Sequence, residues 1–167
     1  IIHYQPTLKS NRLLQENNLL LLDSGGQYLD STTDITRTIA LGNPTAEMIH
    51  DFTLVLKGHI ALAKAQFPYN TCGMRLDILA RLPLWLENKD FKHGTGHGVA
   101  CFGNVHEGPN RISSNGSTYG FKPNMITSIE PGYYKENAYG IRIENLYYTK
   151  ENEKNAEFLE FAPLTLV

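Results

Sequence analysis

The stretch His93-Gly-Thr-Gly-His97-Gly-Val99 places two imidazoles four residues apart among residues with small side chains. Glycine has no Cβ, so a ligand, a metal ion or a second strand can approach the backbone beside either histidine. Taken alone, the pattern is more typical of a tight turn with exposed imidazoles than of a functional site. The rest of the chain is needed to decide between these two interpretations.

The composition of the chain narrows the class of protein. Its 167 residues suit one domain with a hydrophobic core. The 15 Lys and Arg against 17 Asp and Glu give a net charge of -2, which is not the basic balance of a nucleic-acid or anionic-membrane surface. Cys72 and Cys101 form no C-x-x-C motif, so we expect free thiols in a reducing compartment. The sequence contains neither a membrane-span-length apolar run nor a signal peptide, and we expect a soluble, cytoplasmic protein.

The two ends of the sequence are unusual. The chain begins with Ile1-Ile2 in place of an initiator methionine, and it stops within the apolar run Leu164-Thr-Leu-Val167. That last run is typical of a strand or a core segment. We therefore expect residues 1–167 to be an internal piece of a longer protein.

The first part of the chain predicts a β-meander. Leu19 to Leu22 form a short apolar run, which is typical of a strand buried on both faces. Turn residues then separate a short strand at Gln27-Tyr-Leu29 from a Thr- and Ile-rich strand at Thr32 to Thr38.

Two helices are predicted in the middle of the chain. Apolar residues recur at helical spacing from about 44 to 66, and Asn43 is expected to cap this helix with Pro44 at its first position. His59 lies in this helix and is expected to be structural. A second helix is predicted from Met74 to Glu87, with a kink or a late-turn stop at Pro83.

The last part of the chain reads as strands. Met125 to Glu130 and Tyr139 to Asn145 alternate in polarity, and segments near 146–148 and 158–161 complete a sheet. Strands at both ends with helices between them predict the α+β class.

Four acidic residues, Asp23, Asp34, Glu130 and Glu144, stand at the end of apolar or β-forming segments or within them. A buried carboxylate is costly unless its charge is offset. Asp23 would also suit an exposed turn. Asp34 would also suit the edge of a strand, with its carboxylate hydrogen-bonded. Glu144 is harder to explain in this way, because the period of a strand puts it opposite the apolar face of its segment, facing either solvent or a polar site.

If the four carboxylates converge, they need a counter-charge. Each pair at ~4 Å costs about 4 kcal/mol at an effective dielectric constant of ~20, so the cluster would take up protons or metal ions. Two divalent cations would balance four negative charges. Oxygen donors with one imidazole and no thiolate favour Mn²⁺, with Co²⁺, Fe²⁺ and Zn²⁺ as alternatives. The chemistry available to such a site is two-metal hydrolysis, in which a bridging water attacks a carbonyl that the metals polarise.

Six segments together closely resemble, in the same order, the Xaa-Pro aminopeptidases (aminopeptidase P) of the pita-bread metallopeptidases. A single one of these motifs would be weak, whereas six in order are highly specific. The segments are Asp23-Ser-Gly-Gly-Gln-Tyr, Thr33-Asp34-Ile-Thr-Arg-Thr, His93-Gly-Thr-Gly-His97-Gly, Asn104-Val-His106-Glu-Gly-Pro, Glu130-Pro-Gly-Tyr-Tyr and Gly140-Ile-Arg142-Ile-Glu144-Asn.

The resemblance implies a fold and a metal site. The expected fold is a partial pita-bread fold, with a curved antiparallel sheet and flanking helices, and residues 1–167 would form part of a single catalytic domain. By position, Asp23 would chelate one metal ion, and Asp34 and Glu144 would bridge two. His97 and Glu130 would complete the shell of the other ion.

The resemblance also implies roles around the metal ions. His93 and His106 match substrate-side histidines that hydrogen-bond the region of the scissile carbonyl. His3 matches a further active-site histidine of the family. Arg142 would hold the ligand carboxylates in place.

Three functional hypotheses follow. The first is an aminopeptidase that releases an N-terminal residue preceding proline, with peptides carrying proline at the second position as substrates. The second is a prolidase, which shares the ligand set but requires an Xaa-Pro dipeptide. The third is a non-catalytic pita-bread module that binds peptides or proteins, although such relatives typically lose ligands. The resemblance also suggests homodimers formed through parts of the full-length protein, and neither nucleic acid nor membrane is expected as a partner.

Overall fold

Antiparallel strands dominate the part of the chain that the computed structural model describes, which is residues 2, 4–11, 13–116 and 118–165. His3 lies outside the described residues. Within these ranges the elements are, in chain order, β1 (Asn18–Ser24), β2 (Ile35–Leu41), α1 (Ala46–Ala63), β3 (Gln66–Pro68), α2 (Gly73–Trp85), β4 (Gly96–Gly98), β5 (Glu107–Ile112), β6 (Ile126–Ile129), β7 (Gly132–Lys135), β8 (Tyr139–Arg142), β9 (Asn145–Asn152) and β10 (Asn155–Pro163).

The strands form one larger sheet and three ribbons. The larger sheet has the order β3-β10-β9-β6, and the ribbons are β1-β2, β4-β5 and β7-β8. All of these pairs are antiparallel. A single bridge between Thr36 and Glu144 joins the β1-β2 ribbon to the connection between β8 and β9. The predicted α+β class is confirmed.

Two apolar clusters hold the helices against the strands. One joins α1 and α2 to the larger sheet, and it contains the buried residues Leu62, Phe67, Leu76, Ala80, Ile112, Phe121, Ile129, Tyr147, Leu159 and Phe161. The other joins α1 and the segment after α2 to β8, and it contains Leu54, Val55, Leu84, Phe91, Tyr139 and Ile141. Burial of these side chains provides the main driving force that fixes the helices on the strands. Neither helix in the described part of the chain is long and apolar enough to cross a membrane.

The N-terminal end of α1 differs from the sequence-based prediction. Thr45 is the cap residue, and its hydroxyl accepts a hydrogen bond from the Met48 amide at 3.2 Å. The backbone N–H of Asn43, the predicted cap, donates to the side-chain oxygen of Asn17 at 3.4 Å. The cap therefore falls two residues later than predicted, because the Thr45 hydroxyl is the group that reaches an unpaired helical N–H.

The ends of both helices follow from their surroundings. α1 stops at Ala63, earlier than predicted, because Gln66–Pro68 pairs with β10 as β3. In α2, Pro83 lies in the last turn and the helix ends two residues later at Trp85, which confirms a late-turn stop.

The predicted meander is only partly correct. Among the described strands β1 pairs with β2 alone, and Leu22 is 50% exposed rather than buried on both faces. The predicted strand at 27–29 is reduced to one isolated bridge between Gln27 and Thr32. At the other end of the chain, Leu164 and Thr165 form a bend after β10 instead of a strand.

Candidate metal centre

The first half of the site is organised around Thr36. In the register of β1 and β2, Asp23 lies opposite Thr36, and directly paired residues of antiparallel strands point to the same face. Asp34 is two residues before Thr36, so strand periodicity favours the same side. Glu144 reaches this side from the other ribbon, since its amide donates to the Thr36 carbonyl at 3.2 Å. Three carboxylates therefore meet around one buried threonine.

The second half of the site joins His97 to Glu130. His97 is the middle residue of β4, and Glu130 follows directly after β6. The Glu130 amide donates to the Thr95 carbonyl at 2.8 Å, and the His97 amide donates to the Ser128 hydroxyl at 3.0 Å. That hydroxyl in turn donates to Glu130 Oε1 at 3.0 Å. These backbone links place the imidazole beside the carboxylate.

The two halves converge on His97. Its Nε2 lies 3.0 Å from Glu130 Oε1 and 3.5 Å from Asp34 Oδ2. One potential ligand atom from each of Asp34, His97 and Glu144 lies within 4.8 Å of the others. The cleft above these atoms is lined by all five residues that were expected as metal ligands, namely Asp23, Asp34, His97, Glu130 and Glu144.

One carboxylate oxygen in this cluster lacks a protein partner. Glu144 is only 1% exposed, and its Oε1 is buried with no hydrogen-bond partner among the described residues. Burial, followed by the charges of Glu130 and Asp34, raises the pKa of Glu144 to about 9. Burial and the Asp23 charge likewise raise the pKa of Asp34 to about 6. The cluster is therefore short of positive charge, as expected for a site built to hold a cation.

The orientation of His97 also fits a cation. Its Nδ1 lies 3.0 Å from the Gly98 carbonyl, and a carbonyl can only accept, so Nδ1 is the donor. Burial opposes the charged ring, but the hydrogen bond to Glu130 and the charge of Glu130 raise the pKa of His97 overall, which favours a proton on Nε2 shared with Glu130 in the metal-free protein. When that proton leaves, Nε2 presents a lone pair toward the carboxylate oxygens of Glu130 and Asp34. Lone pairs that face one another across a few ångströms suit a metal ion, and oxygen donors with one imidazole suit a hard or borderline metal.

Arg142 supplies one positive charge at the edge of the cluster. Its guanidinium is buried and lies 2.6 Å from Asp23 Oδ2, whereas Glu130 Oε2 is 4.0 Å away. Asp23 itself is largely exposed. Arg142 therefore offsets the charge of Asp23, and no described arginine lies equally close to the buried carboxylates deeper in the cluster.

Two residues that sequence reasoning missed hold this arrangement together. Thr36 Oγ1 donates to Glu144 Oε2 at 2.6 Å and accepts from Arg142 Nε at 3.3 Å. Tyr134 OH accepts from Arg142 Nη1 at 2.8 Å and lies 2.8 Å from His93 Nε2. A usable signal existed, because each residue stands an even number of positions from an acidic residue of its own motif and so tends to share its face.

The predicted substrate-side histidines occupy different environments in the same cleft. His93 has both ring nitrogens engaged, with Nδ1 at 2.7 Å from the Gly94 carbonyl and Nε2 bonded to Tyr134. Burial is the main cause that lowers the pKa of His93, which favours a neutral ring. His106 is exposed, and its ring centroid lies 4.0 Å from that of His97.

An oxygen-rich cluster with one imidazole, built on antiparallel ribbons, defines a candidate metalloprotein. Residues 1–151 match metallopeptidase family M24, and the chain belongs to this family. The resemblance predicted from the six motifs is thereby confirmed.

Individual relatives cover almost all of this chain. Aminopeptidase P1 of Lotus japonicus is 48% identical over 158 residues, which are 95% of this chain and 24% of that protein. An Xaa-Pro aminopeptidase of Caenorhabditis elegans is 50% identical over 171 residues, which are 99% of this chain and 28% of that protein. The chain thus spans about a quarter of the length of these relatives.

Solved structures support the same fold. The crystal structure of X-prolyl aminopeptidase from Caenorhabditis elegans, described as a cytosolic enzyme with a di-nuclear active site, matches with a TM-score of 0.94 and 50% identity over 99% of this chain and 28% of that one. Prolidase from Pyrococcus furiosus matches with a TM-score of 0.81 and 30% identity over 92% of this chain and 43% of that one. The predicted partial pita-bread fold is confirmed.

Proposed function

We propose that this chain carries the metal centre of an Xaa-Pro aminopeptidase, which hydrolyses the bond between an N-terminal residue and a following proline. The observation that carries the proposal is the buried, unpartnered Oε1 of Glu144 within a cluster of Asp34 and His97. The substrate class is supported by similarity to proteins named Xaa-Pro aminopeptidases. Residues 1–167 would form part of a single catalytic domain.

The proposed site holds two divalent metal ions, with Mn²⁺ favoured by the oxygen-rich donor set. Asp23 would bind one ion, His97 and Glu130 the other, and Asp34 and Glu144 both. When bound, the two ions would polarise the scissile carbonyl and lower the pKa of an attacking water. A relative described as having a di-nuclear active site supports the number of ions.

The protein groups around these ligands have distinct tasks in the proposal. Thr36 fixes the orientation of Glu144 by donating to Oε2, so that Oε1 remains available. Arg142 aligns Asp23 through its 2.6 Å contact. His106, exposed in the cleft, would donate to the developing oxyanion of the substrate carbonyl. His93, whose pKa is lowered mainly by burial, would contact the substrate.

A prolidase is the second candidate, because similarity to Pyrococcus furiosus prolidase extends over 92% of this chain. Substrate length separates the two functions. Cleavage of both Xaa-Pro-Xaa tripeptides and longer peptides supports the aminopeptidase, whereas cleavage restricted to Xaa-Pro dipeptides supports the prolidase. The proposal also includes a cytoplasmic location, as described for the Caenorhabditis elegans enzyme, and homodimer assembly, which light scattering of the full-length protein tests.

The test combines metal content with hydrolysis. Elemental analysis should find about two Mn²⁺ per chain after dialysis, and an Xaa-Pro peptide should be cleaved at its first bond. Replacing His97 with Ala should abolish hydrolysis and lower the metal content below two ions per chain. The matched control is His50→Ala, since His50 is an exposed histidine of α1 that contacts Glu87. Unaltered metal content and activity in His97→Ala would contradict the proposal.

A further inference from the structure

A buried ion pair on α2 lies outside the metal cluster and contacts the segment that leads into it. Asp77 and Arg81 are one helical turn apart, with Arg81 Nε 2.6 Å from Asp77 Oδ2 and each side chain 4% exposed. A buried pair of this kind contributes little to net stability compared with apolar residues of the same volume. The other hydrogen bonds of Asp77 and Arg81 therefore indicate what else the pair does.

The pair forms hydrogen bonds with every second residue, 91, 93 and 95, of the segment between α2 and β4. Arg81 Nη1 donates to the Phe91 carbonyl at 2.5 Å, and Nη2 donates to the His93 carbonyl at 2.9 Å. The guanidinium carbon also lies 3.9 Å from the centroid of the Phe91 ring. On the other side, Asp77 Oδ1 accepts a 2.5 Å hydrogen bond from Thr95 Oγ1.

Thr95 connects this anchor to both halves of the His97–Glu130 pair. It is fully buried, its amide donates to the Ile112 carbonyl at 2.8 Å, and its carbonyl accepts from the Glu130 amide at 2.8 Å. His97 follows two residues later on the same strand segment. One residue thus sets the backbone positions of the imidazole and the carboxylate that face each other at 3.0 Å.

We propose that Thr95, held by the Asp77–Arg81 pair, is a positioning residue for the metal ion bound by His97 and Glu130. Its hydroxyl acts through the backbone and touches neither metal nor substrate. The inference rests on the proposed function only for its metal-binding readout. Groups that orient metal ligands in this way typically change metal affinity by about 10- to 100-fold when they are removed.

The experiment compares three variants of the 167-residue chain. Thr95→Val keeps the shape of the side chain and removes the hydroxyl, whereas Thr95→Ser keeps the hydroxyl. The matched control is Thr149→Val, because Thr149 is also fully buried and donates to a carbonyl, that of Lys122, within the larger sheet. The readouts are the Mn²⁺ dissociation constant by calorimetry and the hydrogen-exchange rate of the Glu130 amide in metal-free protein.

Thr95→Val should weaken Mn²⁺ binding by about 10- to 100-fold, while Thr95→Ser and Thr149→Val stay within about 3-fold of wild type. The Glu130 amide should exchange about 10-fold faster in Thr95→Val than in Thr149→Val. Equal values for these two valine variants in both readouts would overturn the inference. If wild-type protein binds no Mn²⁺, the proposed function fails, and the exchange rate alone decides whether Thr95 positions Glu130.

A second variant covers the case in which Thr95→Val does not fold. Arg81→Lys keeps a positive charge beside Asp77 but cannot bond to the Phe91 and His93 carbonyls together. It should weaken Mn²⁺ binding by about 10-fold. Lys89→Gln disturbs a separate, partly buried ion pair with Asp51 and should leave Mn²⁺ affinity unchanged. Equal Mn²⁺ affinities in these two variants would again overturn the inference.

Discussion

Two buried carboxylates of this molecule, Asp51 and Glu144, have contrasting surroundings. Asp51 on α1 accepts hydrogen bonds from Lys89 Nζ at 2.5 Å and from Tyr139 OH at 2.7 Å. Glu144 is equally inaccessible, but only its Oε2 is satisfied by a side chain, and Oε1 has no hydrogen-bond partner in the described part of the chain. The two carboxylates are equally buried, and they differ in their hydrogen-bond partners.

That difference separates a structural carboxylate from a ligand-binding one. Asp51 has a cation and a hydroxyl within hydrogen-bond distance, so its charge is compensated by the protein. Glu144 is surrounded by other carboxylates, and its raised pKa reflects burial first and their charge second. No cation among the described residues compensates its charge, so it takes up either a proton or a bound cation. Four variants test this comparison.

The largest effect is expected for Glu144→Gln. The amide keeps the size of the side chain and removes the charge, so we expect Mn²⁺ affinity to fall more than about 100-fold, beyond the range typical of residues that only orient ligands. The free energy of unfolding in EDTA should change by less than about 1 kcal/mol, because no described Lys or Arg forms an ion pair with Glu144. Calorimetry and urea denaturation measure the two quantities. Full Mn²⁺ affinity in this variant would contradict a ligand role for Glu144.

Asp51→Asn should show the reverse pattern. It leaves Lys89 with the more distant carboxylate of Glu87, at 3.8 Å, and we expect the free energy of unfolding to fall by about 2–3 kcal/mol. The loss is below that of a fully buried pair because the Lys89 side chain is 21% exposed. Urea denaturation in EDTA measures it, with Glu157→Gln as an exposed control. If Mn²⁺ affinity falls in parallel, Asp51 and Glu144 do not differ in the way proposed.

A smaller effect is expected for Thr36→Val. The substitution removes the hydroxyl that donates to Glu144 Oε2 and leaves the fold of β2 unchanged. We expect Mn²⁺ affinity to decrease about 10-fold, because Glu144 loses the bond that orients it. The control is Thr53→Val, since the hydroxyl of exposed Thr53 bonds only to the Ile49 carbonyl within α1. Unchanged affinity in Thr36→Val would show that Glu144 is oriented by other contacts.

The smallest effect concerns a buried base with complete partners, His59. Its Nδ1 lies 3.1 Å from the Ile143 carbonyl and its Nε2 lies 2.9 Å from Tyr147 OH, which fits a neutral ring. Burial is the main cause that lowers its pKa, and the charge of Arg37 lowers it further. Below about pH 6.5 the unfolded chain therefore binds a proton that folded His59 does not, so stability falls with decreasing pH.

Replacing His59 with Gln should remove this pH dependence. Between pH 7.5 and 5.5, wild-type protein should lose up to about 1 kcal/mol more unfolding free energy than His59→Gln. Urea denaturation at several pH values in EDTA gives both curves, and His50→Gln serves as the exposed control. Parallel curves for wild type and His59→Gln would mean that His59 titrates normally in the folded protein.

Local elements of the fold could be predicted from the sequence, whereas strand pairing could not. The helical period and Pro83 were sufficient to locate α2 and its late end. The isolation of β1 and β2 as a ribbon, and the pairing of β3 with β10, depend on contacts distant in sequence. The cap of α1 was misplaced because the residue types do not distinguish Asn43 from Thr45, whose hydroxyl is the one that reaches the Met48 amide.

The candidate site shows the same division. The acidic residues and His97 were found because charged or imidazole side chains in apolar or glycine-rich surroundings are conspicuous. Thr36 and Tyr134 were missed because threonine and tyrosine are ordinary residues of strands. Their even spacing from Asp34 and Glu130 does not by itself distinguish them from other strand residues, and the register of β1 with β2 and the approach of Arg142 are needed to show that their hydroxyls orient the cluster.

In the proposed site a cation binds Glu144 Oε1, and anomalous diffraction from crystals soaked in Mn²⁺ is the sharpest test of this assignment. We expect two anomalous peaks in the cleft, with Glu144 Oε1 within about 2.3 Å of one of them. A cleft without a peak at Glu144, in which Oε1 instead accepts a hydrogen bond from the protein, would contradict it.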